Sequence, residues 1–123
     1  MSDQHYLIDS NILIFLCNGR LNESLPHGRF SCSIITQIEV LSYPALSASE
    51  SNLIQSHLSA LTIFPVDNVI GRETIRLRRD SRIKLPDALI AATAIVSQAV
   101  LLTNDRHLHG IPGLQCRALA IRE

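Results

Sequence analysis

Two hydrophobic patterns alternate along the chain. Short apolar runs predict strands at 6–8, 30–34, 63–66, 100–102 and about 114–119. Between them, longer segments with polar caps or apolar residues at helical spacing predict helices at about 12–17, 36–43, 49–61, 67–83 and 86–96. Strands that alternate with helices form right-handed crossovers, so we expect an α/β fold. The predicted architecture is a three-layer α/β/α sandwich with a mostly parallel, about five-stranded central sheet.

Several helix details follow from individual residues. Pro86 suits a first helical turn, and 88–96 is apolar on every side, as in a buried helix. The pattern Thr36-x-x-Glu39 predicts a capping box, and Pro65 favours either an edge position for the third strand or the end of that strand. The third helix has Leu53, Ile54, Leu58 and Leu61 at helical spacing. The fourth helix is predicted to have an inward stripe of Val66, Ile70, Thr74 and Leu77.

Composition limits the broad class of protein. A chain of 123 residues with 46% hydrophobic residues predicts a single domain, 1–123, with one sizeable core. Cys17, Cys32 and Cys116 form no closely spaced pair, which argues against disulfides and a thiolate zinc site, and the first two lie in apolar runs typical of a core. Without a signal sequence or a long apolar span, we expect a cytoplasmic protein with no membrane partner.

Acidic residues follow or adjoin the ends of the predicted strands: Asp9, Glu39, Asp87 and Asp105. Each has a simple structural explanation, because Asp9 can cap a helix, Glu39 can complete the capping box, Asp87 suits a helix N-terminus and Asp105 suits a turn. Asp67 occupies a similar place after the third strand. Topology alone therefore nominates five acids.

Taken together, the acids favour a metal site. Oxygen ligands with little His or Cys among them suit Mg²⁺ or Mn²⁺. Converging carboxylates without a cation would repel one another and raise some of their pKa values. Such a site can orient a water and stabilise charge on a phosphodiester, which indicates nuclease chemistry.

Four motifs carry a family resemblance: Leu7-Ile8-Asp9-Ser10-Asn11, Thr36-x-x-Glu39, Leu85-Pro86-Asp87-Ala-Leu-Ile-Ala-Ala-Thr-Ala and Leu101-Leu102-Thr103-Asn104-Asp105-Arg-His-Leu. They resemble those of PIN-domain ribonucleases, in particular the VapC toxins of toxin–antitoxin pairs. The resemblance implies a Mg²⁺- or Mn²⁺-dependent endoribonuclease that acts on RNA such as tRNA and leaves a 5′-phosphate and a 3′-hydroxyl. It also implies a homodimer and a cognate VapB-like antitoxin as partners.

The resemblance assigns residues to the site as well. It implies Asp9, Glu39, Asp87 and Asp105 as catalytic and metal-binding residues, and it omits Asp67. Supporting polar positions are implied for Ser10, Asn11 and Thr103.

Charge distribution adds one further candidate site. The eleven basic and eleven acidic residues cancel, but six of the basic ones lie between Arg72 and Lys84. Arg72, Arg76 and Arg79 are either the solvated face of a helix or a track for RNA phosphates, and we favour the track slightly. His107-x-His109 suggests zinc, although a solvated loop is favoured because no further His or Cys cluster lies nearby.

Two other functions fit the same residues. A non-catalytic PIN-like module would bind RNA or protein and use the acids only structurally. A small-molecule phosphohydrolase would use a similar acidic cluster on phosphate esters.

Overall fold

Five strands form one parallel sheet in the computed structural model, which describes residues 3–122. In chain order they are β1 (His5–Ile8), β2 (Arg29–Ser33), β3 (Thr62–Phe64), β4 (Val100–Leu102) and β5 (Cys116–Arg117). Their order across the sheet is β3-β2-β1-β4-β5, so β1 lies at the centre, and Tyr6 pairs with both Phe30 and Val100. The predicted fold class is confirmed, and β3 lies at an edge as Pro65 predicts.

Helices cover both faces of this sheet: α1 (Ser10–Cys17), α2 (Ile34–Leu41), α3 (Ala48–Ser59), α4 (Asn68–Asp80), α5 (Leu85–Val96) and α6 (Arg106–His109). Alternate strand residues face opposite ways, so Leu7 and Leu101 pack with α4 and α5, whereas Ile8 and Leu102 pack with α1, α2 and α3. Cys32 is fully buried in the second of these cores, as predicted. None of the helices formed by residues 3–122 is long and apolar enough to cross a membrane.

The start of α2 differs from the prediction. The helix begins at Ile34, and Ser33 is its N-cap, since the Ser33 hydroxyl accepts a hydrogen bond from the Ile35 N–H at 3.0 Å. Glu39 therefore lies in the last turn of α2, and the predicted Thr36–Glu39 capping box is wrong. A capping box does form at α3, between Ser47 and Glu50. The strand runs directly into α2 and leaves no room for a later cap.

Other boundaries differ where the elements are short or their ends are polar. α4 ends at Asp80 rather than at 83, and β5 has two residues instead of the predicted six. Val66 lies outside α4 and is 40% exposed, so it does not take its predicted inward position. Residues 88–94 of α5 are mostly buried as predicted, but Val96 reaches the surface.

Candidate active site

Four carboxylates from four helices line one cavity of about 130 Å³. They lie at the carboxyl ends of β1 and β4, the edge of a parallel sheet where ligands bind in open α/β folds. The acids are Asp9, Glu39, Asp87 and Asp105, and the other lining residues are Ser10, Asn11, Tyr43, Ile90 and Leu108. Asp67 is not among them, and it caps α4 by accepting a hydrogen bond from the Ile70 N–H at 2.9 Å.

Asp9 is the most buried of the four acids, with 6% of its surface exposed. It is the N-cap of α1, and its Oδ1 accepts a hydrogen bond from the Ile12 N–H at 2.8 Å. Its own backbone N–H donates to the Leu102 carbonyl at 3.2 Å, which ties the start of α1 to β4. The same side chain therefore caps α1 and lines the cavity.

The protonation of Asp9 reflects this burial. Burial raises its pKa from the ordinary value of 3.8 to about 6, and repulsion from Asp105 and Asp87 adds to the rise. Hydrogen bonds from the Thr103 hydroxyl and the Ile12 N–H oppose it. Without a cation, the negative charge of Asp9 is thus poorly compensated.

Glu39 is held by a side chain of another helix. The Ser10 hydroxyl donates a hydrogen bond to Glu39 Oε1 at 2.5 Å and lies 3.4 Å from the Thr36 hydroxyl oxygen. Thr36 is fully buried. Ser10 therefore links the start of α1 to α2 and orients one oxygen of Glu39, a role that the local pattern of either helix alone did not predict.

Asp87 lies in the first turn of α5, and Asp105 is the N-cap of α6. Burial raises the pKa of Asp87, as does repulsion from Asp105 and Glu39, whereas Lys84 and His107 lower it. Asp105 caps α6 through a hydrogen bond from the His107 N–H at 3.0 Å. Its backbone N–H donates to the Thr103 hydroxyl oxygen at 3.1 Å, so Thr103 contacts two of the acids.

Asn104 is a structural residue that the sequence analysis missed. Its amide nitrogen donates to the Leu119 carbonyl at 2.9 Å, and its amide oxygen accepts from the Leu119 N–H at 2.8 Å. The side chain therefore binds the segment after β5 as a neighbouring strand would. Its place between Thr103 and Asp105 in the family-like motif was the available signal.

The histidine pair lies on α6 rather than in the predicted loop. The His109 ring nitrogen Nε2 lies 2.7 Å from the Thr103 carbonyl oxygen, while the His107 side chain is exposed. The prediction missed α6 because a helix of four residues carries no periodic pattern.

The donor set of the cavity fits a divalent cation of the Mg²⁺ type. All four acids offer oxygen. Glu39 and Asp105 each commit one carboxylate oxygen to a named hydrogen bond, whereas Asp9 accepts hydrogen bonds from the Ile12 N–H and the Thr103 hydroxyl. Within residues 3–122, no three His, Cys, Asp or Glu side chains are already gathered around one metal position. Mg²⁺ commonly keeps several waters and takes only one or two carboxylates directly, which suits this wider arrangement.

The arginines of α4 are exposed but not equivalent. Arg76 is paired with Glu73 and, at 3.3 Å, with Asp80, so its charge is partly neutralised within the helix. Arg72 and Arg79 form no ion pair with any residue of the described part of the chain. None of the three arginines lines the acidic cavity or the neighbouring cavity that contains Asp87.

An apolar groove of about 110 Å³ adjoins the acidic cavity at Tyr43, which lines both. The groove lies between α1, α3 and the segment that joins α2 to α3. Its apolar walls are formed by Ile14, Cys17, Leu46, Leu53 and Ile54. Leu53, which is 45% exposed, is one of these groove residues.

The chain matches a known family model and is similar to several solved structures. A sequence model of the PIN domain matches residues 6–114. Among solved structures, a toxin–antitoxin complex from Klebsiella pneumoniae contains a similar chain with 33% identity and a TM-score of 0.74, covering 89% of this chain and 94% of that one. VapBC2 from Rickettsia felis bound to a DNA fragment from its promoter has 21% identity and a TM-score of 0.80, covering 95% and 100%.

A third similar structure, VapBC-1 from nontypeable Haemophilus influenzae, has 22% identity and a TM-score of 0.75, covering 94% of this chain and 98% of that one. A search of curated proteins gave no significant match.

Proposed function

The chain belongs to the PIN domain family, with a VapC-like fold, and we propose that it is a metal-dependent endoribonuclease and the toxin of a toxin–antitoxin pair. The observation that carries the proposal is the meeting of Asp9, Glu39, Asp87 and Asp105 in one cavity. The raised pKa values of Asp9 and Asp87 support it, because they indicate uncompensated negative charge that a cation would relieve.

The proposal gives a role to the four acids and to three polar residues near them. The carboxylates of Asp9, Glu39, Asp87 and Asp105 hold Mg²⁺ or Mn²⁺ directly or through water. The bound cation would orient and acidify a water and stabilise charge on the phosphodiester. Ser10 orients Glu39, Thr103 holds Asp9 and the backbone of Asp105, and Asn11 offers an exposed amide at the rim. In this proposal Ser10, Asn11 and Thr103 therefore support the carboxylates and do not react themselves.

The apolar groove beside the cavity supports an antitoxin partner. A segment with apolar side chains followed by an arginine would fill the groove past Tyr43 and place a guanidinium against the carboxylates. Arginine pairs with carboxylates through two parallel hydrogen bonds, so it can compete with the cation for the same oxygens. The similar chain from Klebsiella pneumoniae occurs in a toxin–antitoxin complex. A VapB-like partner, a homodimer and a tRNA substrate complete the proposal by family resemblance.

Cleavage of a total tRNA pool tests the nuclease activity directly. We expect the purified protein to yield discrete fragments with Mg²⁺ or Mn²⁺ and none with a chelator. Asp87→Asn removes one charged ligand at nearly constant shape and is expected to lower the rate by about a hundredfold or more. Asp67→Asn is the matched control, because Asp67 lies outside the cavity and asparagine also caps helices.

Three outcomes would contradict this proposal. Equal cleavage by wild type and Asp87→Asn would remove the acids from catalysis. A folded, antitoxin-free protein that cleaves no RNA with either metal would favour a binding module, and turnover of a chromogenic phosphate ester would favour a phosphohydrolase.

A further inference from the structure

A second cavity, of about 290 Å³, opens beside the acidic one and shares three lining residues with it. Asp87, Asp105 and Leu108 line both cavities. The residues that line only the second cavity are Arg82, Ile83, Lys84 and His107. We call it the basic groove. The basic groove therefore carries two cationic side chains beside the two carboxylates that it shares with the acidic cavity.

The cations of the basic groove are available to an outside ligand. Arg82 and Lys84 are exposed, and neither forms an ion pair within residues 3–122. Lys84 is the N-cap residue of α5, but its side chain makes no capping hydrogen bond. Arg76 differs, because Glu73 and Asp80 already occupy its guanidinium. Within residues 3–122 neither Arg82 nor Lys84 is neutralised by an ion pair, although the charge of Lys84 lowers the pKa of Asp87.

The cations of the basic groove can offset the repulsion between the acidic cavity and the phosphates of RNA. A strand of RNA carries a negative charge at every linkage, so four carboxylates repel it, and a single bound cation compensates only part of that repulsion. A nuclease must nevertheless hold the linkages that flank the one it cuts. Exposed arginine and lysine beside the carboxylates supply that attraction without entering the cavity.

Building on the proposed ribonuclease function, we propose that Arg82, Lys84 and His107 form the subsite that binds an RNA backbone phosphate adjacent to the linkage held at Asp87 and Asp105. Arg82 and Lys84 contact the phosphate oxygens, and the His107 imidazole donates a hydrogen bond from the α6 side. The subsite recognises backbone and not bases, so it contributes affinity and position along the strand but no sequence preference.

RNA binding in the Asp87→Asn background tests the subsite, because this background is expected to bind without cutting. The probe is a short fluorescein-labelled single-stranded RNA, and the readout is its anisotropy across a salt series. Adding Arg82→Gln and Lys84→Gln is expected to weaken binding roughly tenfold and to reduce the slope of log K against log salt by about 1.4, or 0.7 per lost cation. Arg29→Gln with Arg106→Gln removes the same charge outside the groove and serves as the control.

The outcomes separate the subsite from the proposed function. An unchanged affinity and slope in the groove variant, or an equal change in the control, overturns the subsite even if the wild type cleaves RNA. Absence of cleavage by the wild type overturns the nuclease proposal but leaves the binding comparison intact. Folding of every variant is checked by its thermal midpoint.

Discussion

Asp9 combines two roles that oppose each other energetically. As the N-cap of α1 it satisfies the Ile12 N–H, yet its burial beside Asp87 and Asp105 raises its pKa to about 6. The folded protein then holds the Asp9 proton more tightly than the unfolded chain does. The contribution of Asp9 to the free energy of unfolding is therefore largest below about pH 4. It falls as the pH rises through about 6 and stays low at higher pH.

Asp9→Asn should accordingly stabilise the metal-free protein at neutral pH. Asparagine caps helices as well as aspartate does but carries no charge. In a chelator at about pH 7.5 we expect its free energy of unfolding to exceed that of the wild type by up to about 3 kcal/mol, the value of a shift of about two pKa units. The difference should vanish near pH 4. Urea denaturation at both pH values measures it, and a difference independent of pH would contradict the explanation.

The sequence indicated which acids lie together at the sheet edge. It did not indicate the hydrogen bonds that orient them. Asp9 and Asp87 adjoin apolar runs whose strand or helix character is clear, so their position at the sheet edge followed from topology. The hydrogen bond from Ser10 to Glu39 joins two helices through residues that are 29 positions apart in the chain. A capping box can be recognised within four residues, whereas such a bond depends on the tertiary arrangement and leaves no local signature.

Among the elements, length decided what could be predicted. α3, α4 and α5 each have at least twelve residues, enough to reveal a period or a continuous apolar run. α6 and β5 have four and two residues, and their stability depends on contacts made by particular side chains. The predicted strand at 114–119 was therefore too long, and Asn104, not regular pairing, holds the chain at Leu119.

Asn104→Ala should show how much this side chain contributes. It removes both hydrogen bonds to Leu119 and leaves two backbone groups without their partner. We expect a loss of about 2–3 kcal/mol in the free energy of unfolding, since each half-buried bond contributes about 1 kcal/mol or more. Asn22→Ala, at an exposed asparagine, is the control for urea denaturation. Equal stability of the two variants would show that β5 holds this segment without Asn104.

The whole molecule has a net charge of zero, but its acidic and basic side chains are not evenly distributed. The four acids converge on one cavity, while Arg82 and Lys84 face the next. Average composition therefore could not indicate a nucleic-acid ligand, although the local arrangement favours one. Asp87 and Asp105 lie where the two cavities meet and line both of them.

Metal binding should consequently stabilise the entire fold. A ligand that binds only the folded state adds about 2.7 kcal/mol at a concentration a hundred times its dissociation constant. We expect Mg²⁺ added to chelator-treated wild type to raise the thermal midpoint in a saturable manner, Asp67→Asn to respond equally, and Asp87→Asn to respond weakly. Differential scanning fluorimetry measures the three series. A uniform response of all three proteins would indicate non-specific ion effects instead.

Because β1 lies at the centre of the sheet, its pairing with both neighbours must wait until most of the chain has been synthesised. β1 is made first, but one of its two neighbours, β4, follows only after two further strands and five helices. Pairing of parallel strands so distant in the chain is slow to form and completes late in folding. Asp105 lies beyond β4, so a growing chain on the ribosome already carries Asp9, Glu39 and Asp87 without the fourth acid. Partly synthesised copies therefore contain no complete acidic cavity, and translation itself delays the appearance of any activity.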